Sequence, residues 1–178
     1  VGFSIYKNGL AAGLLALAVF ATPAVAQQQQ QQQPQQQQQE VQRTTNGAWT
    51  VECVQNQQGQ KLCRMVQNVI DPKNQKPLLQ VVVAKGQGGA DAVLTVIAPL
   101  GVWLRPGLGL SVDGGAANQL NFEFCLQEGC LARLRLAAGL ISAMQRGSSA
   151  SISMQNIRRQ KIDLKVSLSG FTASYNAL

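Results

Sequence analysis

From Trp49 onward the apolar residues recur at every second position, and this alternation commits the chain to sheet structure. In Trp49-Thr-Val-Glu-Cys53, the residues Trp49, Val51 and Cys53 share one face, while Thr50 and Glu52 share the other. Side chains of a strand point to opposite faces in turn, so such a segment buries one side and wets the other. The same pattern predicts strands over 62–69, 92–98, 108–112, 120–124, 131–136, 149–154, 162–168 and 171–175. Segment 78–84 is apolar and rich in β-branched residues, which predicts a central strand covered on both faces. Asp71-Pro-Lys-Asn74, the glycines of 86–89 and Asp113-Gly-Gly115 supply turns. Many short strands with glycine-rich connections argue an all-β sandwich. One segment departs from the pattern. Over 136–146, Leu136, Leu140 and Met144 recur every four residues, and Arg146 followed by Gly147 suits a helix C-terminus.

The N-terminus predicts where this sandwich works. Lys7 precedes an apolar run over 10–20, and Ala24-Val25-Ala26 follows as a small-residue cleavage site. That is the layout of a secretory signal peptide over 1–26. The apolar run is too short for a membrane span, which needs roughly 20 residues, so no transmembrane span is expected after cleavage. Twelve glutamines interrupted only by Pro34 come next, and residues 27–45 read as a disordered tail. Such a tail acts as a tether, with a reach of about 25 Å for roughly 20 flexible residues. Residues 46–178 then form one domain. With 46% hydrophobic and 13% charged residues overall, the chain has the composition of a globular protein.

Export governs how the four cysteines are read. In an oxidising compartment they form disulfides, and four cysteines allow three pairings. Cys53 and Cys63 flank a polar segment, as do Cys125 and Cys130. Both spacings suit local bridges across a turn, Cys53–Cys63 and Cys125–Cys130. Neither pair is the C-x-x-C of a redox catalyst.

The chain lacks histidine altogether. Histidine-based triads, Cys–His pairs and the usual zinc sites are therefore excluded. A four-cysteine zinc site is disfavoured by export and by the unequal spacings. The eight carboxylates are scattered singly; Glu123 and Glu128 sit beside the second cysteine pair and read as solvent-facing. The glycines of 86–89 lack the Lys-Ser/Thr ending of a phosphate loop. No cofactor, metal or catalytic set is expected.

The net charge of +7 carries more information. Arg133 and Arg135 share the outward face of one predicted strand, and Lys161 and Lys165 that of another, with Arg158 and Arg159 in the preceding turn. If these strands share a sheet, the six residues form one basic patch for an anionic envelope or host-surface component. Nucleic acid is not expected, because no aromatic residues are interleaved for base stacking.

Several of these segments together resemble one family. Trp49-Thr-Val-Glu-Cys53, Cys63, Ala98-Pro-Leu-Gly101, Gly107, Asp113, Phe124-Cys125, Gly129-Cys130 and Ser167-Leu-Ser-Gly-Phe-Thr-Ala173 are similar, in order and spacing, to the invasion associated locus B proteins of alphaproteobacteria. The resemblance implies an immunoglobulin-like β-sandwich and a periplasmic, cell-surface or secreted protein. It implies no catalytic residues. Trp49 and Phe171 would be core aromatics, and Gly107, Gly129 and Gly170 turn residues. The functional expectation is an exported, non-enzymatic binding protein of the envelope or the host interface. The alternatives are a periplasmic enzyme or enzyme inhibitor and a structural envelope component.

Overall fold

The computed structural model describes residues 40–86, 89 and 91–178. The signal-peptide prediction and the glutamine tract through residue 39 lie outside the described residues. Strands β1 (Gln42–Asn46), β2 (Trp49–Gln55), β3 (Lys61–Ile70), β4 (Pro77–Lys85) and β5 (Ala92–Ala98) form an antiparallel meander. Strands β8 (Phe122–Leu126) and β9 (Gly129–Leu136) complete this sheet in the order β1-β2-β3-β4-β5-β9-β8. A second antiparallel sheet takes β6 (Leu108–Val112), β7 (Asn118–Leu120), β10 (Ser149–Gln155) and β11 (Lys161–Ser167) in the order β11-β10-β6-β7. Two short helices, α1 (Ala138–Arg146) and α2 (Phe171–Asn176), accompany the sheets. The result is the all-β sandwich that the pattern predicts, of the immunoglobulin-like kind that the resemblance implies.

Alternation builds the core. In β5, Ala92, Leu94, Val96 and Ala98 are buried while the residues between them are half-buried. Met65, Val83 and Leu94 from the large sheet and Leu108, Leu110 and Ile152 from the small one join a single interior. Each side chain of this size contributes about 1.5–3 kcal/mol on burial. Both disulfides join residues directly opposite each other, Cys53–Cys63 across β2 and β3 and Cys125–Cys130 across β8 and β9.

A polar clasp ties the sheets together. The buried Gln67 of β3 donates from Nε2 to the carbonyl of Ser167 at 2.8 Å. The Ser167 N–H donates back to Gln67 Oε1 at 2.8 Å, and Trp49 Nε1 donates to the same carbonyl at 2.9 Å. All donors and acceptors of the buried amide's contact with β11 are thereby matched, as burial of polar groups requires. Phe171 and Trp49 pack edge to face, with ring centroids 5.4 Å apart.

Five sequence expectations need correction. Segment 171–175 is helix α2, not a strand. Gly170 stands at φ 83°, where a Cβ would collide with the carbonyl of Asn46, and the chain turns there into a helix. Phe171, Ser174 and Tyr175 then fall on one face, with Tyr175 stacked on Phe171. Strand β4 is central, yet only one of its faces is covered: Leu78, Gln80, Val82 and Ala84 are half-buried on the outer side. Helix α1 begins at Ala138, because Leu136 ends β9 as a core residue. Finally, residues 42–45, expected within the disordered tail, belong to β1, which pairs with β2 along its whole length. The single strand predicted over 120–124 is divided as well. Leu120 ends β7 in the small sheet, and Phe122 opens β8 in the large one.

Candidate interaction surface

The six basic residues do not share a face. Arg133 and Arg135 lie on β9 in the large sheet, and Lys161 and Lys165 on β11 in the small one. The shared sheet on which the combined patch depended is therefore not formed. The charges on β9 are also paired: Arg133 Nη1 lies 2.8 Å from Glu123, and Arg135 Nη1 lies 2.8 Å from Asp91. Lys161 meets Asp163 at 3.0 Å. Such exposed pairs add little stability, but they reduce the free positive charge of the faces that carry them.

A similar neutralisation occurs at the far side of the large sheet. Glu52 accepts from Arg43 and Arg64, each at 3.0 Å from Nε, and the two guanidinium groups hold its carboxyl below the usual range. Glu123 is engaged by Arg133, and Glu128 sits in the β8–β9 turn. Among the described residues, no group of three or more His, Cys, Asp and Glu is placed to hold a metal ion.

Arg158 and Arg159 have a different setting. They occupy the β10–β11 turn, which docks against the loop over 99–107. Pro99 ends β5, and Gly101 redirects the chain at φ 88°. Val102 then forms a bridge to Asn156, Trp103 N–H donates to the carbonyl of Gln155 at 2.8 Å, and Ile157 N–H donates to that of Gly101 at 3.0 Å. The turn is internally locked. Asn156 Oδ1 accepts from the N–H groups of Arg158 and Gln160 at 2.9 and 3.0 Å, and its Nδ2 donates to Gln160 Oε1 at 2.9 Å. Arg159 adopts φ 62°, a left-handed conformation that is unfavourable for a residue bearing a Cβ. Its guanidinium lies over the Trp103 ring, 4.7 Å from the centroid.

The outcome is a tip where large apolar side chains stand in solvent. Ile157 is 74% exposed, Leu100 59% and Leu104 46%. Arg105 is exposed beside them. None of Arg105, Arg158 and Arg159 takes part in an ion pair found among the described residues. Arg158 and Arg159 were legible in the sequence as candidate contacts, but their apolar neighbours were not. The available signal was Asn156-Ile157, an isoleucine inside a turn where a polar residue is expected.

Asp113, one of the residues carrying the resemblance, is structural. Its carboxylate accepts from the N–H groups of Ser148 and Ser149 at 3.0 and 2.9 Å and from both hydroxyls. These backbone donors hold its carboxyl below the ordinary value. Gly107, Gly129 and Gly170 all have positive φ, as expected of turn residues.

Fold and surface together define a disulfide-stapled β-sandwich that presents a locked apolar and cationic tip. The profile of the invasion associated locus B family matches residues 49–178, and the chain belongs to that family. An invasion protein B homolog of Brucella abortus is 30% identical over 132 residues, covering 73% of this chain and 75% of that protein. Invasion protein B of Bartonella bacilliformis is 25% identical over 111 residues, covering 62% and 58% respectively. The crystal structure of invasion associated protein B from Bartonella henselae superposes with a TM-score of 0.69 at 21% identity, covering 76% of this chain and 93% of that one. That likeness shows the fold. The family is not known as an enzyme family. Its members suggest an exported protein, and no helix among the described residues is long and apolar enough to cross a membrane.

Proposed function

We propose that this protein is an exported, non-enzymatic binding protein that acts at the cell envelope or its interface with a host cell. The tip is the observation that carries this reading. Three large apolar side chains and three arginines stand in solvent on two docked segments: Leu100, Leu104 and Arg105 on the 99–107 loop, and Ile157, Arg158 and Arg159 on the turn whose own polar groups are matched. Large apolar side chains left exposed on neighbouring segments mark candidate interaction sites. The host-facing part of the proposal is supported by the relatives, which are named for invasion. The tip replaces the six-residue patch as the proposed contact, with Arg158 and Arg159 retained and Arg133, Arg135, Lys161 and Lys165 left outside it.

Site-specific photo-crosslinking in living cells tests the proposal. A crosslinker at Ile157 is expected to capture an envelope or host-surface component, whether protein, glycan or lipid. The same crosslinker at Gln57, in the β2–β3 turn, serves as the control and is expected to capture none. Equal or absent capture at the two positions would overturn binding at the tip.

A further inference from the structure

From the chemistry of the tip we infer that its partner is the surface of an anionic phospholipid bilayer, with the apolar side chains entering the interface and the arginines meeting phosphate. The inference rests on the binding-protein reading and names the partner. Two features favour lipid over a folded partner. First, the tip is cationic: Arg105, Arg158 and Arg159 are all exposed and outside the ion pairs found among the described residues, and the nearby Lys161 already has Asp163. Guanidinium groups recognise phosphate through charge-assisted hydrogen bonds. Second, the apolar residues protrude from turns instead of lining a recess. Ile157 is 74% exposed at the apex of a hairpin, where a bilayer accepts it without shape complementarity. Trp103, half-buried at the base of this cluster, is the residue type that settles at the headgroup level.

The conformation of Arg159 adds an independent argument. The turn over 56–60, Asn-Gln-Gln-Gly-Gln, has the same hydrogen bonds as the turn over 156–160, Asn-Ile-Arg-Arg-Gln. The first places Gly59 at φ 75°, the second Arg159 at φ 62°. Glycine would satisfy the backbone at both positions. An arginine there places a cation over Trp103, beside Ile157, at the expense of local backbone strain.

The test uses the protein purified from its own cells, with vesicles of phosphatidylcholine alone or of phosphatidylcholine with phosphatidylglycerol. Co-sedimentation measures binding. Tryptophan emission reports the tip, because Trp49 is fully buried and only Trp103 can change environment on docking. Binding to the anionic vesicles, a blue shift of emission and weakening by salt are expected. Reversing all three arginines (R105E/R158E/R159E) should lower affinity by at least about 100-fold, at about fivefold for each positive charge lost. Ile157→Asp should lower it by about tenfold. Any binding by the N-terminal apolar run is common to every variant, so the tip is read from the differences. Absence of binding to anionic vesicles, or binding that none of these variants changes, would overturn the inference. Failure here with a protein or glycan still captured at Ile157 in cells would reject lipid and leave the binding-protein reading standing. Failure of both measurements would reject both.

Discussion

The two hairpin turns over 56–60 and 156–160 share one backbone design and differ in what they present to solvent. In each, the leading asparagine accepts two N–H donors on Oδ1 and donates to the closing glutamine. In each, the fourth residue is left-handed. The first turn carries Gln57, Gln58 and Gly59, and the second Ile157, Arg158 and Arg159. Stability alone accounts for the asparagines and the glutamines. It does not account for an exposed isoleucine, or for an arginine where glycine relieves strain. The comparison therefore separates residues that make the turn from residues that the turn exists to display.

The asparagine positions should give the largest effects, and the two should be alike. Asn56→Ala and Asn156→Ala each remove a side chain that satisfies two backbone donors, and each should cost about 1–3 kcal/mol in urea unfolding. A cost at Asn156 alone would break the proposed equivalence, since the turns would then owe their shape to different interactions. The next effect is smaller and opposite in sign at the two turns. Arg159→Gly should stabilise the fold by about 1 kcal/mol through relief of the left-handed arginine, and Gly59→Arg should destabilise it by a similar amount. Loss of stability in the first variant would mean that the contact with Trp103 outweighs the backbone strain.

A third turn sharpens the comparison because its cap is ionisable. Asp113 closes the β6–β7 turn against Ser148 and Ser149, where the other two turns use neutral amides. Its carboxyl is held below the ordinary value of 3.8, so the folded state releases this proton more readily than the unfolded chain. The resulting stability is fully present above the unfolded value and fades as the pH falls through the lower native one. Asp113→Asn should therefore lower Tm at neutral pH and shallow the decline in Tm on acidification. Asn56→Ala and Asn156→Ala should leave the shape of that decline unchanged. An unaltered acid limb in Asp113→Asn would refute the role given to the carboxylate.

The parts legible in the sequence are those governed by a local period. Alternation located most of the strands, and the cysteine spacings located both bridges, because cross-strand neighbours at a hairpin are also close in sequence. Helix α2 was hidden because Phe171, Ala173 and Tyr175 mimic alternation. The conformation of Gly170 and its contact with Asn46 decide otherwise, and that contact spans the length of the domain. The sheet to which a strand belongs is equally non-local. Arg133 and Lys165 both read as outward-facing, yet β9 and β11 separate into different sheets, and the predicted patch separated with them. Gln67 shows what period two can still disclose. In Cys63-x-Met65-x-Gln67-x-Val69 it falls on the inward face, but its partner, the Ser167 backbone, lies on another strand far along the chain.

The smallest expected effect on stability is also the most discriminating. Ile157→Gln gives the second turn the residue found at the same place in the first. The side chain is 74% exposed and contributes no hydrogen bond to the turn, so unfolding should change by no more than about 0.5 kcal/mol. Binding to anionic vesicles should nevertheless weaken, because the apolar contact is removed while all three arginines remain. The converse change, Gln57→Ile, should alter neither property, since that turn has no Trp103 beneath it and no arginine beside it. A loss of stability in Ile157→Gln without loss of binding would make the isoleucine a packing residue of the turn, and the distinction between the two hairpins would then be one of folding alone.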